Sequence, residues 1–165
     1  MIITRPPNPT HKIYNQSEID LNYLDPMYTH TFTDGGGNSG PISIGIVVVK
    51  NNKMIMTYGQ YLSDKGTNNI AEVQAIWKGL RLVRSLKMSV RIYSDSNYAI
   101  KSICGIFHGR YNRSLLNSVT KYLKNYPYPV EFVKVKGHAD CEYNNYADSI
   151  ASSFLTSPKK KKRKI

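Results

Sequence analysis

Between residues 28 and 62 three extended-looking runs follow one another with only short turns between them. From residue 69 onward helical and extended patterns alternate. This order narrows the possible folds more than any other feature of the chain. A hairpin block of strands followed by helix–strand alternation implies a mixed sheet with helices against its faces.

The first run, residues 28–33, is rich in threonine and aromatics and reads as a strand ending at Asp34. Residues 35–41, Gly-Gly-Gly-Asn-Ser-Gly-Pro, form a turn cluster. Residues 44–49 are the next strand, and Asn51-Asn52 suggests a hairpin into a third at 53–62. After a loop at 63–67, residues 69–86 are helical, with Val73, Ile76, Leu80 and Val83 on one face. A strand at 90–93 runs into Ser94-Asp95-Ser96, whose side chains can cap a helix from Asn97 to about 106. A helix at 114–125 ends before Pro127 and Pro129. A strand at 130–135 and a helix at 142–155 close the body. The expectation is an α/β fold: a five-stranded mixed sheet with elements in the order β-β-β-α-β-α-α-β-α. It comprises a body at 28–155, a proline-bearing N-terminal arm at 1–27, partly ordered at best with a helical turn near 17–21, and a disordered tail at 156–165.

Charge and cysteine content restrict the function classes. The net charge is +12, and half of that excess sits on Lys159, Lys160, Lys161, Lys162, Arg163 and Lys164. The remaining positive body still attracts polyanions. Cys104 and Cys141 are too few for a disulfide framework and lack zinc-type spacing, so they read as reduced thiols. No apolar run reaches the ~20 residues that span a bilayer. The N-terminus lacks the layout of a secretory signal. We therefore expect a soluble intracellular protein without membrane contact.

Only eleven residues are acidic, and four of them fall at telling places. Asp34 and Asp95 end strands, Glu72 lies in the first turn of a helix, and Asp148 lies inside the last helix. Ligand sites in α/β sheets form where strands end and helices begin. One such carboxylate alone is more often a cap or turn residue. Four from separate elements would repel one another unless cations sat between them, and oxygen-only ligands suit Mg²⁺ or Mn²⁺ rather than zinc. Two such ions roughly 3.5–4 Å apart can clamp the attacking and leaving oxygens of a phosphodiester.

Five segments carry a resemblance. They are Phe32-Thr33-Asp34-Gly35-Gly36, Thr67-Asn68-Asn69-Ile70-Ala71-Glu72, Tyr93-Ser94-Asp95-Ser96-Asn97-Tyr98, Val135-Lys136-Gly137-His138-Ala139 and Asn144-Asn145-Tyr146-Ala147-Asp148. In this order the chain resembles the type 1 ribonuclease H family over about residues 28–155. The resemblance implies an endonuclease that hydrolyses the RNA strand of an RNA–DNA hybrid, leaving 5′-phosphate and 3′-hydroxyl ends. Asp34, Glu72, Asp95 and Asp148 would bind two Mg²⁺ ions, with Mn²⁺ able to substitute. His138, on a loop after the last strand, would assist proton movement or product departure.

Such an enzyme must read the 2′-hydroxyl. Backbone at Gly35, Gly36 and Gly37 can approach it closely. By resemblance Asn68 and Asn69 would contact bases or sugars, and Thr67 with Lys65 would hold a DNA-strand phosphate at a helix N-terminus. Asn97 and Tyr98 would line the groove, and Asn144 has a counterpart near the scissile group. Asn38 is the candidate minor-groove asparagine, although the turn after Asp34 is shorter than usual. A second departure is the shortening or loss of the basic protrusion of many cellular members. Only residues 105–113 stand there, with Phe107, His108, Arg110, Tyr111 and Arg113 as either a smaller DNA grip or a solvated loop. The tail at 158–164 resembles a nuclear localisation signal, which implies an import receptor and a nuclear site in a nucleated host. An electrostatic tether to nucleic acid is the competing reading. A monomer is expected. The alternatives in function are another nuclease of the same fold, or a binding module without chemistry. The four carboxylates with His138, and the Thr-Asn-Asn and Gly-His-Ala runs, argue against both.

Overall fold

The computed structural model of the chain describes residues 11–137, 141–156 and 162–164. Its centre is a mixed sheet whose strands are β1 (Ile13–Asn15), β2 (Tyr28–Gly36), β3 (Ser39–Lys50), β4 (Lys53–Thr67), β5 (Ser89–Ser94), β6 (Val130–Lys134) and β7 (Lys162–Lys164). Their spatial order is β1-β6-β5-β2-β3-β4-β7. The helices are α1 (Asn68–Val83), α2 (Asn97–Ile103), α3 (Arg113–Lys124) and α4 (Glu142–Thr156). The hairpin block β2-β3-β4 is antiparallel, and β5 and β6 add to it in parallel through helical crossovers. This is the mixed α/β sheet expected, in the expected order of elements. Among the described residues it has seven strands rather than five, because β1 joins β6 at one edge and β7 joins β4 at the other. Three-residue strands carry no legible period-two pattern, so neither edge could be read from the sequence.

Both faces of the sheet are covered, which explains why residues 44–49 are apolar without alternation. Ile44, Ile46 and Val48 pack with Val73, Ile76 and Leu80 of α1 and with Ile100, Ile103, Val119 and Leu123 from α2 and α3. Val47 and Val49, with Phe32, Tyr93 and Val133, pack against Ala147, Ile150 and Phe154 of α4.

Several boundaries differ from the sequence reading. The glycine cluster shrinks to a turn at Gly37 and Asn38, since β3 already begins at Ser39. The supposed loop 63–67 continues β4, with Ser39 opposite Thr67 and Gly40 opposite Gly66. Ladder pairing there outweighs a turn-like composition. Helix α2 stops at Ile103 rather than near 106, because Gly105 adopts φ 80° and the amides of Ile106 and Phe107 turn back to the Lys101 carbonyl.

Residues 11–27 run along the sheet rather than away from it. After β1 they form a single 3₁₀ turn at Gln16–Glu18, close to the helical turn expected. Ile19, Leu21 and the buried Leu24 then pack on the α4-side core. Leu24 exchanges two hydrogen bonds with Asn52 in the β3–β4 hairpin before the chain enters β2. Lys162–Lys164, where the sequence suggests disorder, pair through their backbone with Tyr58–Gln60.

Candidate active site

Strands β2 and β5 are parallel neighbours, so they finish at the same end of the sheet. Asp34 lies near the end of β2 and Asp95 follows the last residue of β5. Thr67 caps α1 by accepting a hydrogen bond from the Ile70 amide. Glu72 is therefore the fifth residue of α1, in the second turn rather than the first. One carboxylate oxygen each from Asp34, Glu72 and Asp95 can be chosen so that all lie within 4.8 Å of one another. Asp148 on α4 brings its carboxyl into hydrogen-bonding contact with Asp34. All four line a cavity of about 340 Å³, with Gly35, Asn68, Ser96 and Gly137 completing its wall.

Close packing at two glycines draws the helices to this end of the sheet. A Cβ at Gly35 would lie 2.5 Å from the Glu72 amide nitrogen, so the bare backbone lets α1 settle against β2. The Gly35 amide then donates to Glu72 Oε1 at 2.9 Å and fixes that carboxylate. On the other face, a Cβ at Gly45 would meet the Ala147 carbonyl at 2.1 Å, and Ala147 immediately precedes Asp148. Ser43 Oγ adds a hydrogen bond to the Ala151 carbonyl of α4. The two glycines thus set the depth at which Glu72 and Asp148 enter the site.

The electrostatics are those of crowded, dehydrated anions. Asp34 and Glu72 are each 4% exposed. Burial pushes the Asp34 pKa up to about 9, aided by the charge of Asp95 and the carboxyl of Asp148. Burial likewise raises Glu72 well above the usual carboxylate range, with Asp34 and Asp95 adding to the effect and the Gly35 amide opposing it. An all-oxygen donor set under this strain fits a hard divalent cation, whose charge would offset burial and mutual repulsion together.

Of the expected substrate contacts, Asn68 is brought into the cavity wall. It also ties the β2–β3 turn to α1, since its amide donates to the Asn38 carbonyl and its Nδ2 to the Gly37 carbonyl, both at 3.2 Å. Asn38, Lys65, Thr67, Asn69 and Asn97 are exposed. Tyr98 is half-buried, and its hydroxyl accepts from Asn112 Nδ2 at 3.1 Å. Gly35 and Gly36 are buried, and the close approach visible at each is to protein: α1 for Gly35, Ser43 and α4 for Gly36. Asn144 is 1% exposed on the first turn of α4 and its Oδ1 is buried without a hydrogen-bond partner. His138 and Lys159–Lys161 lie outside the described residues. Phe107, His108, Arg110, Tyr111 and Arg113 are all exposed.

Two wall residues escaped the sequence reading as site residues. Ser96 was legible only as a helix cap, which it is, accepting from the Ala99 amide at 3.0 Å. Gly137 stands so close to Asp95 that a Cβ there would lie 3.0 Å from Oδ2. Cys104 and Cys141 are both buried, and neither forms a disulfide. No described helix is long and apolar enough to cross a membrane.

Known proteins resemble this chain. The sequence model of the RNase H family matches residues 26–155. The ribonuclease H of Clostridium botulinum is 30% identical over 146 residues, spanning 75% of this chain and 93% of that protein. That of Chlorobium chlorochromatii is 32% identical over 140 residues, spanning 75% and 92%. Among solved structures, LC11-RNase H1 in complex with an RNA/DNA hybrid superposes with a TM-score of 0.68 at 21% identity, covering 79% of this chain and 98% of that one. With the family match, the relatives and the carboxylate cluster in agreement, the chain belongs to the ribonuclease H family.

Proposed function

We propose that this enzyme hydrolyses the RNA strand of RNA–DNA hybrids at the hollow formed by Asp34, Glu72, Asp95 and Asp148, and leaves 5′-phosphate and 3′-hydroxyl ends. The observation that carries the reading is the convergence of three carboxylate oxygens within 4.8 Å at the shared end of two parallel strands. The hybrid held by LC11-RNase H1 supports the substrate class. Asp34, Glu72, Asp95 and Asp148 would hold two Mg²⁺ ions, or Mn²⁺ in their place. Bound, these supply positive charge to both the attacking and the leaving oxygen of the phosphodiester.

The chain's own residues supply the rest. The Gly35 amide orients Glu72, and the start of α1 turns the positive end of its helix dipole toward a DNA-strand phosphate beside Thr67 and Lys65. Asn38, Asn68, Asn69, Asn97 and Tyr98 offer side chains to bases and sugars, and His138 moves a proton or helps product leave. The protein acts as a monomer, and its basic tail serves as a nuclear import signal for a receptor. A labelled hybrid incubated with Mg²⁺, with EDTA, and with the Asp34→Asn variant tests the reading. Cutting by the wild type in Mg²⁺ alone, with 5′-phosphate products, is the expected result. A cyclic phosphate product would mean attack by the RNA's own 2′-oxygen and would overturn it.

A further inference from the structure

Strand β6 ends at Lys134, and the chain beyond it passes directly in front of the carboxylates. The Val135 amide still finds the Ser94 carbonyl of β5, at 2.9 Å. The next amide, Lys136, is met instead by a side chain from the other end of the sequence: it donates to Gln16 Oε1 at 2.8 Å. The next residue is Gly137, whose backbone abuts Asp95. Gln16 is held for this task from both sides. Asn15 pairs with Lys134 in the β1–β6 ladder, which delivers Gln16 to the level of Lys136. The turn that follows is closed by the Asn15 amide on Glu18 Oε2 at 2.7 Å and by the Ile19 amide on the Gln16 carbonyl at 3.1 Å. Behind it, Ile19, Leu21 and Leu24 anchor the segment on the core. All of these residues precede residue 26, where the family match begins.

We propose that Gln16 is a positioning residue of the active site, through which the N-terminal segment fixes the Lys136–Gly137 backbone against Asp95. Water can replace Gln16 as a partner for this exposed amide at little net cost in stability, but water does not fix the direction of the chain. The function of the contact is therefore geometric.

The test uses the full chain and two variants. In metal-free Gln16→Ala, exchange of the Lys136 amide with solvent should accelerate by roughly tenfold while amides in the middle of β5 stay protected, since one hydrogen bond of ordinary net strength is removed. Gln16→Glu keeps an acceptor oxygen and should restore the wild-type exchange rate. The kinetic arm rests on the proposed function: for hybrid cleavage in Mg²⁺, Gln16→Ala should lower kcat by roughly three- to tenfold with KM little changed, and Gln16→Glu should recover it. Unchanged Lys136 exchange in Gln16→Ala, or a Glu variant as impaired as the Ala variant, overturns the proposal. An effect confined to KM would make Gln16 a substrate contact and overturns it as well. Failure of the wild type to cut hybrid would defeat the proposed function alone, and amide exchange would still decide the role of Gln16.

Discussion

At the scale of single residues, the site is built from charges that the folded chain tolerates poorly by itself. Asp34 is buried beside Asp95 and Asp148, and its carboxyl is pushed up to about 9 for that reason. Replacing it by asparagine removes one of the crowded carboxylates. Cleavage by Asp34→Asn should fall below about a tenth of the wild-type rate, because a proposed metal ligand is removed, while its thermal midpoint without metal should equal or exceed that of the wild type. A large drop in the midpoint would show that Asp34 is needed for folding instead. His30 makes a second residue-scale prediction. It is fully buried, with Nε2 donating to the Asp25 carbonyl and Nδ1 accepting from the Tyr93 hydroxyl, both at 2.7 Å. Burial lowers its pKa from the ordinary 6.5. Below 6.5 the unfolded chain therefore takes up a proton that the native ring resists, and stability is lost as pH falls. Asp34 and Glu72, with raised values, act in the opposite sense and lose their contribution as pH rises. The two effects separate in a difference: urea midpoints at pH 7.5 and 5.5 (roughly one unit either side of an ordinary histidine) should show less acid destabilisation in His30→Gln than in the wild type.

At the scale of elements, two helices bring carboxylates to the cavity and both are seated by missing side chains in the strands beneath them. A methyl group at Gly45 would press on the Ala147 carbonyl and the Ala151 nitrogen, backbone atoms with no room to rotate aside. Gly45→Ala should lower stability by about 1–3 kcal/mol, the usual effect of overpacking. It should also reduce cleavage, because α4 is displaced next to Asp148. Denaturant titration and hybrid cleavage at a temperature where the variant is fully folded check the two effects separately. Full activity in that folded variant would mean that α4 depth does not set the position of Asp148.

At the scale of the molecule, chemistry sits in the body and the basic charge is concentrated in the tail. Deleting residues 157–165 removes six of the positive charges together with the short β7 pairing on β4. The carboxylate cluster draws only on residues outside the deletion. Cleavage at low salt should persist with kcat within roughly a factor of three. If the tail only addresses the protein to a nucleus, hybrid affinity and its salt dependence should be nearly unchanged. If it tethers, the slope of log K against log salt should flatten by about 0.9 for every phosphate that the tail had neutralised. A fluorescent fusion of the tail in a nucleated cell completes the comparison. Exclusion from the nucleus, together with a flatter slope, rejects the import reading.

The sequence by itself determined the sheet class and the order of the elements, because both are written in local composition: strand-forming runs, helical spacing and caps. The four acidic positions stood out only together, through the five segments that resemble the family. The sequence also marked Gly35 as a place of close backbone approach, but not that α1 is one of the partners, since a glycine looks alike whether it admits a sugar or a helix. Only the tertiary structure decided that Gly35 and Gly45 seat α1 and α4, that residues 63–67 are strand, and that β1 belongs to the sheet. The same holds for the bond from Gln16 to Lys136, which joins residues 120 positions apart. Its glutamine carries no local signal, because the register of β1 on β6, not the neighbouring sequence, brings Gln16 and Lys136 together.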